Sequence, residues 1–215
     1  MLFERLMDAS QSHLACIQDK PFTRIALRAE LTREHYMKFV QDLYPVVWNF
    51  VPAMAAAAGR CGEEVADIRY ALYQHIAEEK GHEKWVLEDA EAIAGPEFRR
   101  RVETERPSWQ IDALVAYNYY LVDRVHPVSV LGMVFMLELI SQRLATKVAA
   151  SVRQSLGLSP LSDSGVKFLS HHGPADERHL QDMAATINGI VDERLQHIVA
   201  RAVDVNFRLF AASLD

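Results

Sequence analysis

Val130-Leu131-Gly132-Met133-Val134-Phe135-Met136-Leu137-Glu138-Leu139-Ile140 places one carboxylate in an otherwise apolar stretch. Burying an ionised carboxylate without a partner costs several kcal/mol, so such groups are paired, protonated or bound to metal. The stretch belongs to a helix opened by Pro127 and ended at Gly157-Leu158-Ser159-Pro160. Outward from it, apolar residues recur at spacings of three and four, and period-2 alternation is nearly absent, so the chain reads as all-α. The first helix is expected over Leu2 to Gln18, ended by Pro21. Thr32 caps a long helix through Ala58, bent at Pro45 or Pro52 and broken by Gly59 and Gly62. A third runs from Glu63 to Ala94, stopped by Gly95-Pro96, with a short helix from Pro96 to Glu105 and another from Ser108 to Val125. After Gly157 a helix covers Ser164 to Ile187, interrupted or restarted at Gly173-Pro174, and the last spans Asp192 to Ser213. With no linker or repeat in view, residues 1–215 are expected to form one domain of seven to nine helices.

Half of the 215 residues are hydrophobic and 24% are charged, enough apolar material for one sizeable core. A formal net charge of −6 without a Lys/Arg block argues against a nucleic-acid surface. The first residues lack the pattern of a signal peptide, and the longest uncharged run, Tyr44 to Gly59, carries two prolines and is short for a bilayer span. Cys16 and Cys61 have no ligand spacing and read as reduced thiols of a cytoplasmic protein.

Two further segments face Glu138 as candidate chemistry. His75-Ile76-Ala77-Glu78-Glu79-Lys80-Gly81-His82 puts His75, Glu79 and His82 at i, i+4 and i+7, within about 60° of arc on a continuous helix. His172-Gly173-Pro174-Ala175-Asp176-Glu177-Arg178-His179 repeats that spacing with His172, Asp176 and His179. One such triplet is ordinarily a solvated polar face, but two copies in a chain with nine histidines favour a site. Imidazoles with carboxylates and no thiolate suit iron, manganese or zinc. Six or seven donors are too many for one structural zinc and suit two metals bridged by carboxylate, a role expected of Glu138. The alternative for Glu138 is a buried ion pair with Arg143 or Arg69. The ferritin pattern of two Glu-x-x-His pairs is not met, since only Glu79 and His82 form one.

Glu79-x-x-His82, then Glu138, then His172-x-x-x-Asp176-x-x-His179 resembles the heme-oxygenase-like di-iron oxidases and oxygenases. Pro21-Phe22, Leu31-Thr32-Arg33-Glu34-His35-Tyr36 and Asp42-Leu43-Tyr44 are similar to the wider heme-oxygenase and TenA-like (thiaminase-type) superfamily. The resemblance implies a single-domain, all-α helical bundle whose core helices hold two irons. It implies O2-dependent oxidation of a small metabolite, fatty-acid-like or amino-acid-derived. Glu79, His82, Glu138, His172, Asp176 and His179 would be the ligands, with His75 a seventh or an outer partner. A homodimer is plausible only by the same resemblance, and the electron donor is left open. If Pro174 starts a new helix, His172 leaves the shared face and the second iron is labile. Competing readings are a heme oxygenase using His13, a metal-free thiaminase-like or cofactorless enzyme, and a non-catalytic binding protein.

Overall fold

A computed structural model describes the backbone of all 215 residues and the side chains of all but residues 174–177. Among the described residues the chain is built from nine α-helices: α1 Leu2–Asp19, α2 Pro21–Leu27, α3 Arg33–Arg60, α4 Ala66–Glu79, α5 Glu83–Thr104, α6 Trp109–Tyr120, α7 Val130–Leu156, α8 Lys167–Asn188 and α9 Glu193–Ala212. The apolar periodicity explains their packing. On α1 the buried positions Leu2, Leu6, Ser10, Leu14 and Ile17 form one stripe, and α9 carries the same kind of stripe from Leu195 to Ala211. At the centre lies α7, packed between α8 and α9, with α3 closing over it and holding α4 and α5 on its other side. With its 3-10 lead-in, Pro127–Leu156 is long and apolar enough to cross a membrane, but most of that length is buried as core.

Several boundaries follow the expected chemistry. The Thr32 hydroxyl accepts from the His35 amide at 3.2 Å, and His35 Nδ1 accepts from the Thr32 amide at 3.3 Å, a reciprocal cap that starts α3. Gly157 ends α7 with φ +64°. Between α6 and α9, Asn118 and Asn206 exchange side-chain amide bonds at 2.6 and 3.1 Å, and both are fully buried. Each also donates to the carbonyl four residues back, so this clamp leaves neither amide nitrogen without a partner.

Three expectations are corrected. Pro21 does not merely end α1. It sits at the first position of a short helix, where its missing N–H costs nothing, so α2 follows at once. The third expected helix is two: α4 ends at Glu79, Gly81 takes φ +95°, and α5 begins at Glu83 with His82 as its N-cap. One helix spans Lys167–Asn188, so the restart expected at Gly173-Pro174 does not divide it. A side chain at Gly173 would run into Thr146 of α7, so this glycine serves a close α7–α8 approach.

The start of α8 is pinned from a distance. Asp89 on α5 is buried and accepts from the backbone amides of Lys167 and Phe168 at 2.7 and 2.9 Å. It satisfies two of the donors that every helix N-terminus leaves open. Burial pushes its carboxyl up to about 7, against the pull of those two amide bonds. This anchor fixes the helix that delivers His172 and His179.

Candidate metal centre

Glu79 and His75 come from the last turns of α4, His82 from the Gly81 bend, Glu138 from α7, and His172 and His179 from two turns of α8. The structure brings these six together, and Glu79, Glu138, His172 and His179 are buried. Asp176 lies outside the described side chains. The ligand atoms fall into two groups, each within 4.8 Å: His75, Glu79, Glu138 and His179 in one, and Glu79, His82 and His172 in the other. Glu79 is the carboxylate common to both. Among the described residues, Glu79 rather than Glu138 is the carboxylate that the two groups share.

The distances show how each side chain is aimed. His75 Nε2 and His179 Nδ1 stand 3.0 and 3.1 Å from the two oxygens of Glu138. Glu79 Oε2 is 2.9 Å from His82 Nδ1 and 3.5 Å from His172 Nε2, and its Oε1 is 3.6 Å from His179 Nδ1. His82 Nδ1 and His172 Nε2 are 3.1 Å apart. Among the described residues, no arginine takes part in these contacts: Glu138 pairs with His75 and His179. Arg69 instead donates to the carbonyl of Cys61, so the ion-pair alternative for Glu138 is not what the structure contains.

Electrostatics explain why both carboxylates are charged. Burial pushes the Glu79 carboxyl up, but the bonds to His172 and His82 outweigh it and hold the group well below the ordinary carboxylate range. Glu138 is likewise drawn down by His179 and His75 against its burial.

The outer contacts of two imidazoles decide what the cluster suits. His172 donates from Nδ1 to the Phe168 carbonyl at 2.8 Å, and His179 Nε2 faces the Glu78 carboxylate at 3.1 Å. A neutral imidazole carries one N–H, so a proton used outward leaves a lone pair on the inner nitrogen. Those inner nitrogens, His172 Nε2 and His179 Nδ1, point at carboxylate oxygens that are also acceptors. The bonds that hold Glu79 and Glu138 ionised therefore need a second proton on each of these rings, an imidazolium, and a bound cation would take the place of that inner proton. In addition, Glu79 Oε1 is buried with no hydrogen-bond partner among the described residues, an arrangement that costs about 1–3 kcal/mol if left so. The donor set thus fits divalent cations of nitrogen and oxygen preference.

Glu78 was not singled out in the sequence. A carboxylate on the outer nitrogen of a ligating histidine fixes its tautomer and raises its basicity, and Glu78 is placed to do that for His179. The only available signal was its position next to Glu79. Trp85, also unflagged, stacks on His82 with ring centroids 4.0 Å apart and meets His172 edge-on at 5.8 Å.

Beside the cluster lies an apolar cavity of about 120 Å³, with Glu79, Glu138 and His172 in its wall. Phe50 lines it and meets His75 edge-on at 5.8 Å.

Residues 37–209 match the family model of an iron-containing redox enzyme. This chain belongs to that family. The fold agrees with several solved structures. A domain of unknown function with a heme oxygenase-like fold from Shewanella denitrificans superposes with a TM-score of 0.87 at 19% identity, covering 100% of this chain and 90% of that one. A TenA homologue from Pseudomonas syringae gives 0.82 at 15% identity, with 98% and 90% covered. A heme oxygenase from the cyanobacterium Synechocystis, solved with heme, gives 0.76 at 14% identity, with 99% and 90% covered. At these identities the likeness concerns the fold. No curated protein sequence matches the chain.

His13 is held by Asp204 at 3.1 Å and stacked on Phe207 with centroids 5.0 Å apart, in the seam between α1 and α9. Gly132 on α7 is pressed against the backbone of α9 at Ala202 and Val203.

Proposed function

We propose that the chain is a non-heme, O2-dependent di-iron oxidase or oxygenase acting on a small, largely aliphatic metabolite of fatty-acid type. The observation that carries this reading is Glu79, a buried and ionised carboxylate shared by two donor groups in the wall of an apolar cavity. His75, Glu79, Glu138 and His179 would hold one ion. Glu79, His82 and His172 would hold the other, with room in the proposal for Asp176. When bound, an iron pair supplies the electrons and Lewis acidity that O2 activation requires.

The remaining work falls to the chain's own residues. Glu79 and Glu138 offset the charge of the cations in a site from which water is largely excluded. The Phe168 carbonyl and Glu78 keep the protons of His172 and His179 on the outer nitrogens, so that the inner lone pairs stay available. The apolar walls select a hydrocarbon and keep bulk water from an oxidising centre. The amino-acid-derived alternative is less well matched, because the cavity wall is dominated by aliphatic and aromatic side chains.

Ferrous-loaded protein is expected to consume O2, and to do so faster when a straight-chain fatty acid is present. Oxygen-electrode traces of wild-type and Glu79→Gln protein test this. Uptake no faster than that of free ferrous ion at equal concentration rejects the reading.

A further inference from the structure

We infer that Ser141 seats the oxygen-bearing head of the substrate, its hydroxyl donating to a carboxylate or carbonyl oxygen at the end of an aliphatic chain. The inference rests on the di-metal reading and deepens it by giving the substrate a head, a tail and a direction.

Ser141 stands three residues after Glu138 on α7, so both lie on the same helix face, and both line the cavity that Glu79 and His172 also line. A serine inside a helix ordinarily turns its hydroxyl back to the carbonyl four residues earlier. Here it does not: Ser141 Oγ is buried and has no hydrogen-bond partner among the described residues. Other buried hydroxyls lack partners too, but Ser10, Ser108 and Tyr117 do not line this cavity. An unpartnered hydroxyl in an apolar wall, one turn from the donor cluster, calls for a ligand atom.

The direction follows from the rest of the wall. Beyond Ser141 the same face of α7 continues with Leu144, Ala145 and Val148, which offer a chain only methyl and methylene contacts. Phe22, Phe39, Phe210 and Leu214 also line the cavity. These residues also line an outer depression that carries Lys38 and Asp42, so the apolar end borders a route toward the surface. A head at Ser141 and a tail toward Phe22 therefore matches polar to polar and apolar to apolar. Cations held by Glu79 and Glu138 offset those two charges, which makes an acceptor head compatible with the inner end.

Zinc-loaded protein, which performs no redox chemistry, permits a binding test. Affinities for a medium-chain fatty acid and for the matched alkane are read by displacement of an apolar fluorescent dye, with zinc content measured on the same samples. Ser141→Ala is expected to weaken fatty-acid binding about five- to tenfold, the loss of one hydrogen bond, with alkane affinity and zinc content unchanged. Ser141→Thr should restore most of the loss, and Leu144→Trp should abolish binding of both ligands. Equal fatty-acid affinity in wild type and Ser141→Ala overturns the inference, as does an equal loss for acid and alkane. Loss of zinc in Ser141→Ala also overturns it, by placing the hydroxyl in support of the cluster. Wild-type protein that takes up no zinc fails the metal reading itself, whereas zinc-loaded protein that binds neither ligand fails the head-and-tail assignment alone.

Discussion

Glu79→Gln is expected to lower the metal content of the protein from about two ions per chain to near zero, because one carboxylate serves both donor groups. The amide keeps the shape of the side chain and removes the charge that makes the site attractive to a cation. Two donor groups then lose their common member, and the inner lone pairs of His172 and His179 lose a counter-charge. Glu138→Gln provides the contrast. It touches only the group formed with His75 and His179, so about one ion should remain, held by Glu79, His82 and His172. Elemental analysis after anaerobic ferrous reconstitution and desalting reads both variants, and a thermal melt of each confirms that the fold is retained. If Glu79→Gln keeps both ions, or Glu138→Gln loses both, the sharing role does not belong to Glu79.

The second large effect concerns the frame of the site. At Gly132 an added Cβ would fall 2.5 Å from the Ala202 Cβ and 2.8 Å from the Ala202 carbonyl carbon and the Val203 nitrogen. Two of these three atoms are backbone of α9, so no rotamer change relieves the overlap and the helices must move apart. Overpacking typically costs about 1–3 kcal/mol and sometimes more, and a contact with backbone belongs at the upper end. Gly132→Ala is therefore expected to lose about 3 kcal/mol, which at this chain length is a fall in Tm of about 6–12 °C. Below its own Tm the variant should still bind metal, because Glu138 lies nearly two helical turns farther along α7. A Tm within about 2 °C of wild type would contradict so close an approach of α7 and α9.

Much of this was legible in the sequence because helical periodicity carries angular information. His75, Glu79, His172 and His179 could be placed on two faces, and Glu138 stood out because its neighbours are apolar. Depth and distance are a different matter. A helical projection does not tell which of two buried carboxylates stands between two groups; Glu138 was expected there, and among the described residues Glu79 is the one common to both. The helix expected over Glu63 to Ala94 ran through Gly81, yet the chain bends there, with Gly81 at φ +95°, and turns His82 back toward Glu79. Pro21 and Pro174 were both read as breaks. The first stands at a helix start that has no need of its amide, and α8 spans the second as one helix. Asp89 and Glu78 gave no signal at all, since what defines them is contact with residues far along the chain: Lys167 and Phe168 for one, His179 for the other.

Anomalous diffraction at the iron edge, from crystals of anaerobically ferrous-reconstituted protein, tests the central claim most directly. Two iron peaks are expected, one among His75, Glu138 and His179 and one between His82 and His172, with the Glu79 carboxylate reaching both. A single peak that leaves Glu79 bound to one ion only, or iron found away from these side chains, would contradict it.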